Sequence, residues 1–418
     1  MAHWQREFGD TVHLRIWPEH MVVLAEPQLV RELLVARHDA LVRWERGIAV
    51  MARTHGHSVL MAEGEAWRAK RQALQPAFAP KAVQAFVPAM GDAVARALDG
   101  WPHEAARWPI EQALTALTMD VIMRLLFSST VGDDARTAET AVHALSRAAN
   151  TAFYWPASIS EWLPGQARAR RARQALESLI DRHLTARLAL PDADWPDDLL
   201  TRLLRLHRSE PQAWPLQAVR DECMTAFLAG HETTAATLTW WAWCMAAHPE
   251  IQTAARAEVA QVLQGRRPEA ADLPALRLLT ATLQETLRRY PAVPVLMSRR
   301  GREPVTLGGR TYPARTLFVL PVQLLHHDAR WFEQPLAFRP ARFLDGAPEI
   351  PRGAYLPFGA GPRVCLGQHL ALTEMVVVAA MLLQRATLTV PAGMAAPEPV
   401  VNVTLRPREP LVLAVGPA

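Results

Sequence analysis

The segment from Pro357 to Met375, PFGAGPRVCLGQHLALTEM, places a cysteine in an unusual setting. Cys365 has glycines before and after it, Arg363 lies two positions earlier, and an apolar helical pattern follows at once. Glycine lets the backbone bend and approach a ligand closely. A helix beginning near Gly367 would put Cys365 beside its N-terminus, where the dipole and free N–H groups favour a thiolate. Most free cysteines are instead small buried hydrophobes, which is the alternative here.

The chemistry open to this cysteine is limited by its isolation. A single thiolate cannot build a zinc site, which needs four ligands. It can serve as the axial ligand of a haem, because the porphyrin supplies the other four donors. Arg363 would then meet a haem carboxylate. The sequence favours a haem site over a zinc site.

The ten residues FGAGPRVCLG (358–367) resemble the haem-binding loop of the cytochrome P450 family, which reads Phe-x-x-Gly-x-Arg-x-Cys-x-Gly. Phe358, Gly361, Arg363, Cys365 and Gly367 match that pattern. The resemblance implies haem b (iron protoporphyrin IX) with Cys365 as its axial thiolate ligand. It also implies that Phe358, Arg363 and Gly367 contact the cofactor.

A second motif, AGHETT (229–234), lies in the middle of a long apolar helix pattern. A metalloprotease motif would need a second histidine at position 235, which is Ala235. The ordinary alternative is a polar patch whose hydroxyls bond back to the preceding turn. The family carries an acid–alcohol pair here, so the resemblance makes Glu232 and Thr233 catalytic residues that deliver protons. It places Ala229 against the haem ring.

A third motif, QETLRRY, puts Glu285 and Arg288 three positions apart on one helix face. Alone, such a pair is usually a surface ion pair. In the family the pair is buried behind the haem loop and completed by an arginine from a Pro-x-Arg-Phe segment, here Arg342 of FRPARF. Ala341 replaces a residue that is often acidic. The resemblance implies a structural role for this group.

Haem carboxylate ligands are implied by a fourth motif, WRAKR. Trp67 and Arg71 lie four positions apart and can face one ligand, and the matching family residues bind a haem propionate. Arg299, in VPVLMSRRG, occupies the place of another propionate arginine, with its neighbour Arg300 as the competing choice.

The elements that must position these motifs are mostly helices. We expect a helix-rich core at about 67–290 and 367–385, in which residues 216–248, closed by Pro249, form one long helix. Small β-regions are expected at about 11–25, 303–322 and 386–415, with a hairpin around Gly308 and Gly309. No repeat or linker interrupts residues 1–418. The fold class is therefore mainly α with small β-sheets, a single large domain with the cytochrome P450 fold.

Composition excludes several other classes of protein. Three cysteines at wide spacings form no disulfide framework and fit a reducing compartment. A net charge of +4 is too mild to indicate nucleic-acid binding. The longest uncharged helical run, residues 233–247, is shorter than the roughly 18 residues of a membrane span. We expect a soluble, cytoplasmic monomer.

The resemblance extends from FGDTVHL to the terminal strands and implies a haem-thiolate monooxygenase. Such an enzyme inserts one oxygen atom from O2 into an apolar small-molecule substrate, by hydroxylation or epoxidation. No flavin or iron–sulfur segment is visible, so a separate ferredoxin or flavodoxin with its reductase would supply electrons. We expect it to dock on the cysteine side, where Arg68, Lys70 and Arg352 are predicted to face outward.

Two alternatives remain at this level. A peroxide-driven haem peroxygenase would use hydrogen peroxide directly, and a non-catalytic haem-binding sensor would need no proton relay. The motifs do not encode the substrate, which could be a fatty acid, a terpenoid or a steroid.

Overall fold

The computed structural model describes residues 1–129, 135–154 and 165–418. Residues 130–134 and 155–164 of the predicted helix-rich core lie outside this described part. The α-helices are α1 (Ala2–Phe8), α2 (Pro27–Arg31), α3 (Glu45–His55), α4 (Gly64–Leu74), α5 (Pro80–Asp99), α6 (Ile110–Phe127), α7 (Ala135–Tyr154), α8 (Gln166–Leu188), α9 (Leu199–Ser209), α10 (Leu216–Ala247), α11 (Pro249–Leu263), α12 (Arg277–Arg289), α13 (Val322–His326) and α14 (Gln368–Arg385). The β-strands are β1 (Thr11–Ile16), β2 (Glu19–Leu24), β3 (Leu41–Arg43), β4 (Ala105–Trp108), β5 (Leu296–Gly301), β6 (Val305–Leu307), β7 (Arg310–Tyr312), β8 (Leu317–Leu320), β9 (Ala386–Thr389), β10 (Pro399–Asn402), β11 (Thr404–Pro407) and β12 (Leu413–Pro417).

The long helix α10 runs through the main hydrophobic core. It has 32 residues, and side chains on nearly every face of it are buried, as expected for a helix surrounded by protein. Trp240 and Trp241 are both 0% exposed. The helix ends at Ala247 because His248, which precedes Pro249, adopts a non-helical conformation. The predicted long helix is confirmed.

Small sheets lie beside this helical core. One has five strands in the order β1-β2-β8-β5-β3, with β2 and β8 parallel and the other pairs antiparallel. A three-stranded sheet has the order β4-β12-β9, and β10 pairs with β11. The predicted hairpin is β6–β7, in which Gly308 and Gly309 both have positive φ. Strands thus lie in all three of the predicted β-regions, while β3, β4 and β5 lie outside them.

The fold class predicted from the sequence, mainly α with small sheets, is confirmed. Within residues 1–129, 135–154 and 165–418, no helix has the length and apolar character of a membrane span.

Candidate functional site

The cysteine loop is held in place by its own backbone and by a neighbouring turn. Gly361 has φ +72°, and a Cβ atom there would lie 2.1 Å from the carbonyl oxygen of Leu34, so only glycine fits. The backbone N–H of Cys365 donates to the carbonyl oxygen of Phe358 at 2.9 Å. Helix α14 begins immediately afterwards, with Gly367 as its N-cap. The loop therefore presents Cys365 just before a helix N-terminus, as the sequence predicted.

The environment of the Cys365 thiol differs from that expectation in one respect. Cys365 is exposed, whereas Cys223 and Cys244 are buried. The protein around the thiol nevertheless desolvates it, and this raises the pKa of Cys365. The Gly367 N–H and the Arg71 guanidinium lower the pKa, but by less. Desolvation therefore outweighs the helix N-terminus and the Arg71 charge in setting the pKa of Cys365.

Three arginines gather around one carboxylate near this loop. Arg363 Nη2 donates to Glu63 Oε2 at 2.8 Å, and the buried Arg43 donates from Nε to the other oxygen of Glu63. Burial, followed by the charge of Arg43, lowers the pKa of Arg363 to about 9 and that of Arg299 to about 10. We call Arg43, Arg299, Arg363 and Glu63 the guanidinium cluster. The cluster thus contains three guanidinium charges and one carboxylate charge.

Trp67 and Arg71 of α4 complete this side of the site. The Arg363 guanidinium lies over the Trp67 ring, 4.0 Å from its centroid. Arg71 Nη1 donates to the carbonyl oxygen of Val364 at 2.9 Å. A cavity of about 260 Å³ borders the cluster and is lined by Trp67, Arg43, Arg299 and Arg363, among other residues.

The structure separates Arg299 from Arg300, which the sequence could not. The two are neighbours on β5 and project to opposite faces of the sheet. Arg300 makes ion pairs with Glu19 at 2.8 Å and with Glu45 at 2.7 Å. Arg299 instead belongs to the guanidinium cluster. Of the two, Arg299 is the one that lines the cavity beside Arg363.

The acid and alcohol of the AGHETT motif face different surroundings. Ala229 is exposed and Thr233 partly exposed, although most of α10 around them is buried. The Thr233 hydroxyl donates back to the Ala229 carbonyl oxygen at 2.8 Å. Glu232 is buried on another face of the helix, since consecutive helical residues differ by about 100° in direction. Gly230 packs against Ile122, where a Cβ atom would lie 2.6 Å from the isoleucine side chain.

The Glu232 carboxyl group contacts side chains from two distant segments. Ser146 Oγ on α7 donates to it at 3.0 and 3.2 Å, and Thr404 Oγ1 on β11 donates at 3.2 Å. Arg406 Nε lies 4.0 Å from Glu232 Oε1. We call Ser146, Thr404 and Arg406 the Glu232 cradle. Burial raises the pKa of Glu232, and Arg406 and then the two hydroxyls oppose that effect.

The sequence profile of the family described as "Cytochrome P450" matches residues 1–414. The chain belongs to the cytochrome P450 family. Cytochrome P450s carry haem held by a cysteine thiolate, and the protein is a cytochrome P450 monooxygenase.

Curated relatives agree with this family assignment. Cyclooctat-9-en-7-ol 5-monooxygenase of Streptomyces melanosporofaciens is 35% identical over 92% of this chain and 86% of its own length. Cyclooctatin synthase of the same organism is 32% identical over 98% of this chain and 87% of its own length. The plant 11-oxo-beta-amyrin 30-oxidase of Glycyrrhiza uralensis is 31% identical over 87% and 72%, respectively.

The residues of this cytochrome P450 fit a haem. A haem b carries two carboxylates, and the guanidinium cluster has two positive charges in excess of its one carboxylate. The lowered pKa values of Arg299 and Arg363 mean that an anionic ligand there would stabilise both charges. Cys365 is the accessible cysteine beside them.

Two residues of the guanidinium cluster were missed from the sequence. Arg43 comes from β3, and Glu63 immediately precedes α4. Neither belongs to a motif of the family that the sequence matched, and no local pattern singles out Arg43. For Glu63 a weak signal exists, because it is an acid just before the helix that carries Trp67 and Arg71.

The prediction that Lys70 faces outward is wrong. Lys70 does not face outward: its side chain is 16% exposed and its Nζ donates to the buried carboxylate of Glu222 at 2.8 Å. It also lies over the Trp214 ring, 5.0 Å from the centroid. Arg68 and Arg352 are exposed, as expected. Lys70 therefore holds α4 against α10 and cannot meet a docking partner.

Proposed function

We propose that this cytochrome P450 binds haem b through the Cys365 thiolate and hydroxylates or epoxidises an apolar small molecule. O2 is the oxidant, and separate redox proteins supply the electrons. The observation that supports this most is the placement of an accessible cysteine beside a cluster of guanidiniums with excess positive charge. When bound, the haem supplies the activation of O2 that no amino-acid side chain can perform.

The residues around the cofactor bind and orient it. Arg363 and Arg299 would pair with its two carboxylates, and stacking on Trp67 would orient Arg363. Arg43, which donates to Glu63 and to the carbonyl oxygens of Leu60 and Ala62, would hold the cluster in place. Arg71 would remain on the cysteine side through its bond to the Val364 carbonyl oxygen. Phe358 and Gly367, both on the cysteine loop, would border the haem, and Ala229 would lie against its ring.

Proton handling is assigned to Glu232 and Thr233. The Thr233 hydroxyl, which donates its proton to the Ala229 carbonyl oxygen, would accept a hydrogen bond from a water molecule at the partly exposed face of α10. The Glu232 carboxyl group would take protons from solvent and pass them on. Its raised pKa supports this assignment, because a carboxyl group with a higher pKa is more readily protonated near neutral pH.

Electrons would arrive on the cysteine side. The exposed Arg68 and Arg352 are the charges through which an acidic ferredoxin or flavodoxin would approach. Arg68 is partly neutralised by Asp39 and Glu65, which lie within ion-pair distance of it. We therefore assign the larger share of the attraction to Arg352.

The substrate is proposed to be apolar and of the terpenoid or fatty-acid class. Two relatives are named for cyclooctat-9-en-7-ol and for cyclooctatin, and a third for 11-oxo-beta-amyrin, and these names favour the terpenoid side. The exposed Ala229 and the partly exposed Met297 present apolar surface of the kind that such a substrate needs.

The test is turnover under isotopically labelled O2 with a generic ferredoxin, its reductase and NADPH, over a panel of terpenes, fatty acids and steroids. A product that contains one labelled oxygen atom and depends on NADPH supports the proposal. A product formed with hydrogen peroxide and independent of the redox proteins would favour a peroxygenase. A protein that binds haem and ligands but forms no product under either condition would be a sensor.

A further inference from the structure

Arg406 links three elements around the carboxyl group of Glu232. Its Nη1 donates to Glu111 Oε1 on α6 at 3.0 Å, and its Nη2 donates to the main-chain oxygen of Glu232 at 3.4 Å. Its Nε donates to Thr404 Oγ1 at 3.3 Å, and that hydroxyl in turn donates to Glu232 Oε1. Arg406 is 8% exposed, so these contacts are shielded from water.

We infer that Arg406 is a positioning residue for proton delivery, which holds the ionised Glu232 carboxylate in the cradle and releases it when it is protonated. The inference rests on the proposed role of Glu232. Nothing in the sequence motifs points to Arg406, which lies 174 positions after Glu232.

The orientation of Glu232 is the first part of the argument. Its carboxyl oxygens accept from Ser146 and Thr404, whereas the Thr233 hydroxyl is bonded to the Ala229 carbonyl oxygen on another face of the helix. For a proton to pass from Glu232 toward Thr233, the carboxyl group must leave the cradle. This movement breaks two hydroxyl contacts and moves the group away from the Arg406 charge.

The charge of the carboxyl group is the second part. Burial alone favours the neutral form of Glu232, while Arg406, Ser146 and Thr404 favour the ionised form. The attraction between Arg406 and the carboxylate disappears when a solvent-derived proton neutralises it. Protonation therefore weakens the cradle at the moment when the proton must be delivered.

Other titratable groups near the cradle do not replace Arg406. Burial lowers the pKa of His231 on α10 to about 4 and also lowers that of His143 on α7, so both are neutral at pH 7. The charge of the exposed Arg147, also on α7, contributes to the lowered pKa of His143. Glu111 on α6 accepts from Arg406 and from the Leu411 N–H at 3.0 Å, and it offsets part of the Arg406 charge.

The test compares Arg406→Met with Arg406→Lys. Two quantities are measured against pH: product formed per NADPH, and the infrared carboxyl band of Glu232, assigned by its loss in Glu232→Gln. In Arg406→Met both titrations should move to higher pH by about one unit, because the opposing cation is lost. Arg406→Lys should remain close to wild type. Arg408 lies two positions after Arg406 and forms an exposed ion pair with Glu398, so Arg408→Met is the matched control and should change neither titration.

Two further variants keep the inference testable if Arg406→Met fails to fold. Thr404→Val should move the infrared titration in the same direction by less, and Glu111→Gln should move it to lower pH because Arg406 loses its competing partner. An Arg406→Met protein whose two titrations superpose on those of wild type would overturn the inference. If Glu232→Gln has wild-type product yield at every pH, the proposed role of Glu232 is wrong, and the infrared titration still decides whether Arg406 controls its charge.

Discussion

Glu285 and Arg288 form a doubly hydrogen-bonded ion pair in which both side chains are 0% exposed. Arg288 Nε lies 2.7 Å from Glu285 Oε2, and Nη2 lies 2.9 Å from Oε1. Arg342 Nε donates to the same carboxylate at 3.3 Å. Arg288 also donates to the His326 carbonyl oxygen at 2.6 Å. The alternative of a surface ion pair is therefore wrong. The prediction of a buried group formed by Glu285, Arg288 and Arg342 is confirmed.

Glu285→Ala is expected to destabilise the protein by about 3–5 kcal/mol, because it leaves two arginines without their buried partner. The free energy of unfolding in urea and the haem content of the purified protein measure this effect. Glu398→Ala is the control, since Glu398 and Arg408 form an ion pair with both side chains more than half exposed. Equal stability and haem content for the two variants would contradict the structural role.

Cys365→His is expected to abolish the strongly red-shifted Soret band of the reduced, carbon monoxide-bound protein. That band reports thiolate ligation, and the accessible Cys365 is the proposed ligand. Cys223→Ala and Cys244→Ala should keep the band, because both residues are buried elsewhere in the core. A Cys365→His protein that retains it would remove Cys365 from the site.

Thr233→Ala is expected to keep haem and substrate binding but to divert electrons into peroxide and water. Product formed per NADPH should fall, by a factor on the order of 10² if no water replaces the hydroxyl. Thr234→Ala is a close control: its hydroxyl also bonds back one turn, to the Gly230 carbonyl oxygen at 2.9 Å, but Thr234 is buried. A similar loss in both variants would point to helix distortion and away from proton delivery.

Acid should destabilise the protein partly through His326. Its Nε2 accepts the Leu356 N–H at 2.8 Å and its Nδ1 contacts the Arg288 carbonyl oxygen at 3.2 Å. Burial and then the Arg288 charge lower the pKa of His326 from 6.5 to about 3. Its contribution to stability is therefore complete above pH 6.5 and is lost as the pH falls toward 3, by up to about 1.4 kcal/mol per pH unit.

Unfolding in urea at a series of pH values tests this contribution. His326→Gln should be less stable than wild type at pH 7, yet its stability should fall less steeply below pH 6.5. His3→Gln, whose parent side chain is 76% exposed, should follow the wild-type slope. Parallel curves for wild type and His326→Gln would exclude the assigned titration.

Arg352→Glu is expected to slow the first electron transfer from an acidic ferredoxin about tenfold at low ionic strength. Arg68→Glu should have a smaller effect, because Asp39 and Glu65 already offset its charge. Added salt should bring all rates together, since screening acts over roughly 10 Å at 0.1 M. Arg408→Glu, on the segment after the β10–β11 hairpin, is the control. A rate that responds neither to salt nor to Arg352→Glu would place the donor elsewhere.

The amino-acid sequence alone determined what depends on near neighbours along the chain. The spacing around Cys365, the adjacency of Glu232 and Thr233, and the proline that ends α10 are local patterns. Helices α10 and α14 formed where the sequence predicted them. The separation of Glu285 and Arg288 by three positions also predicted that the two would share a helix face. Family and fold class followed from these patterns.

Tertiary structure decided which side chains meet across the fold. The sequence does not distinguish Arg299 from Arg300. Successive residues of a strand project to opposite faces, so Arg299 lies in the guanidinium cluster and Arg300 pairs with Glu19 and Glu45. The sequence gives no sign that Lys70 is paired, because its partner Glu222 lies on α10, which only the fold places beside α4. The partners of a buried charge come from wherever packing places compensating groups, because an unpaired charge in the interior is unstable. Local patterns contain no information about that choice.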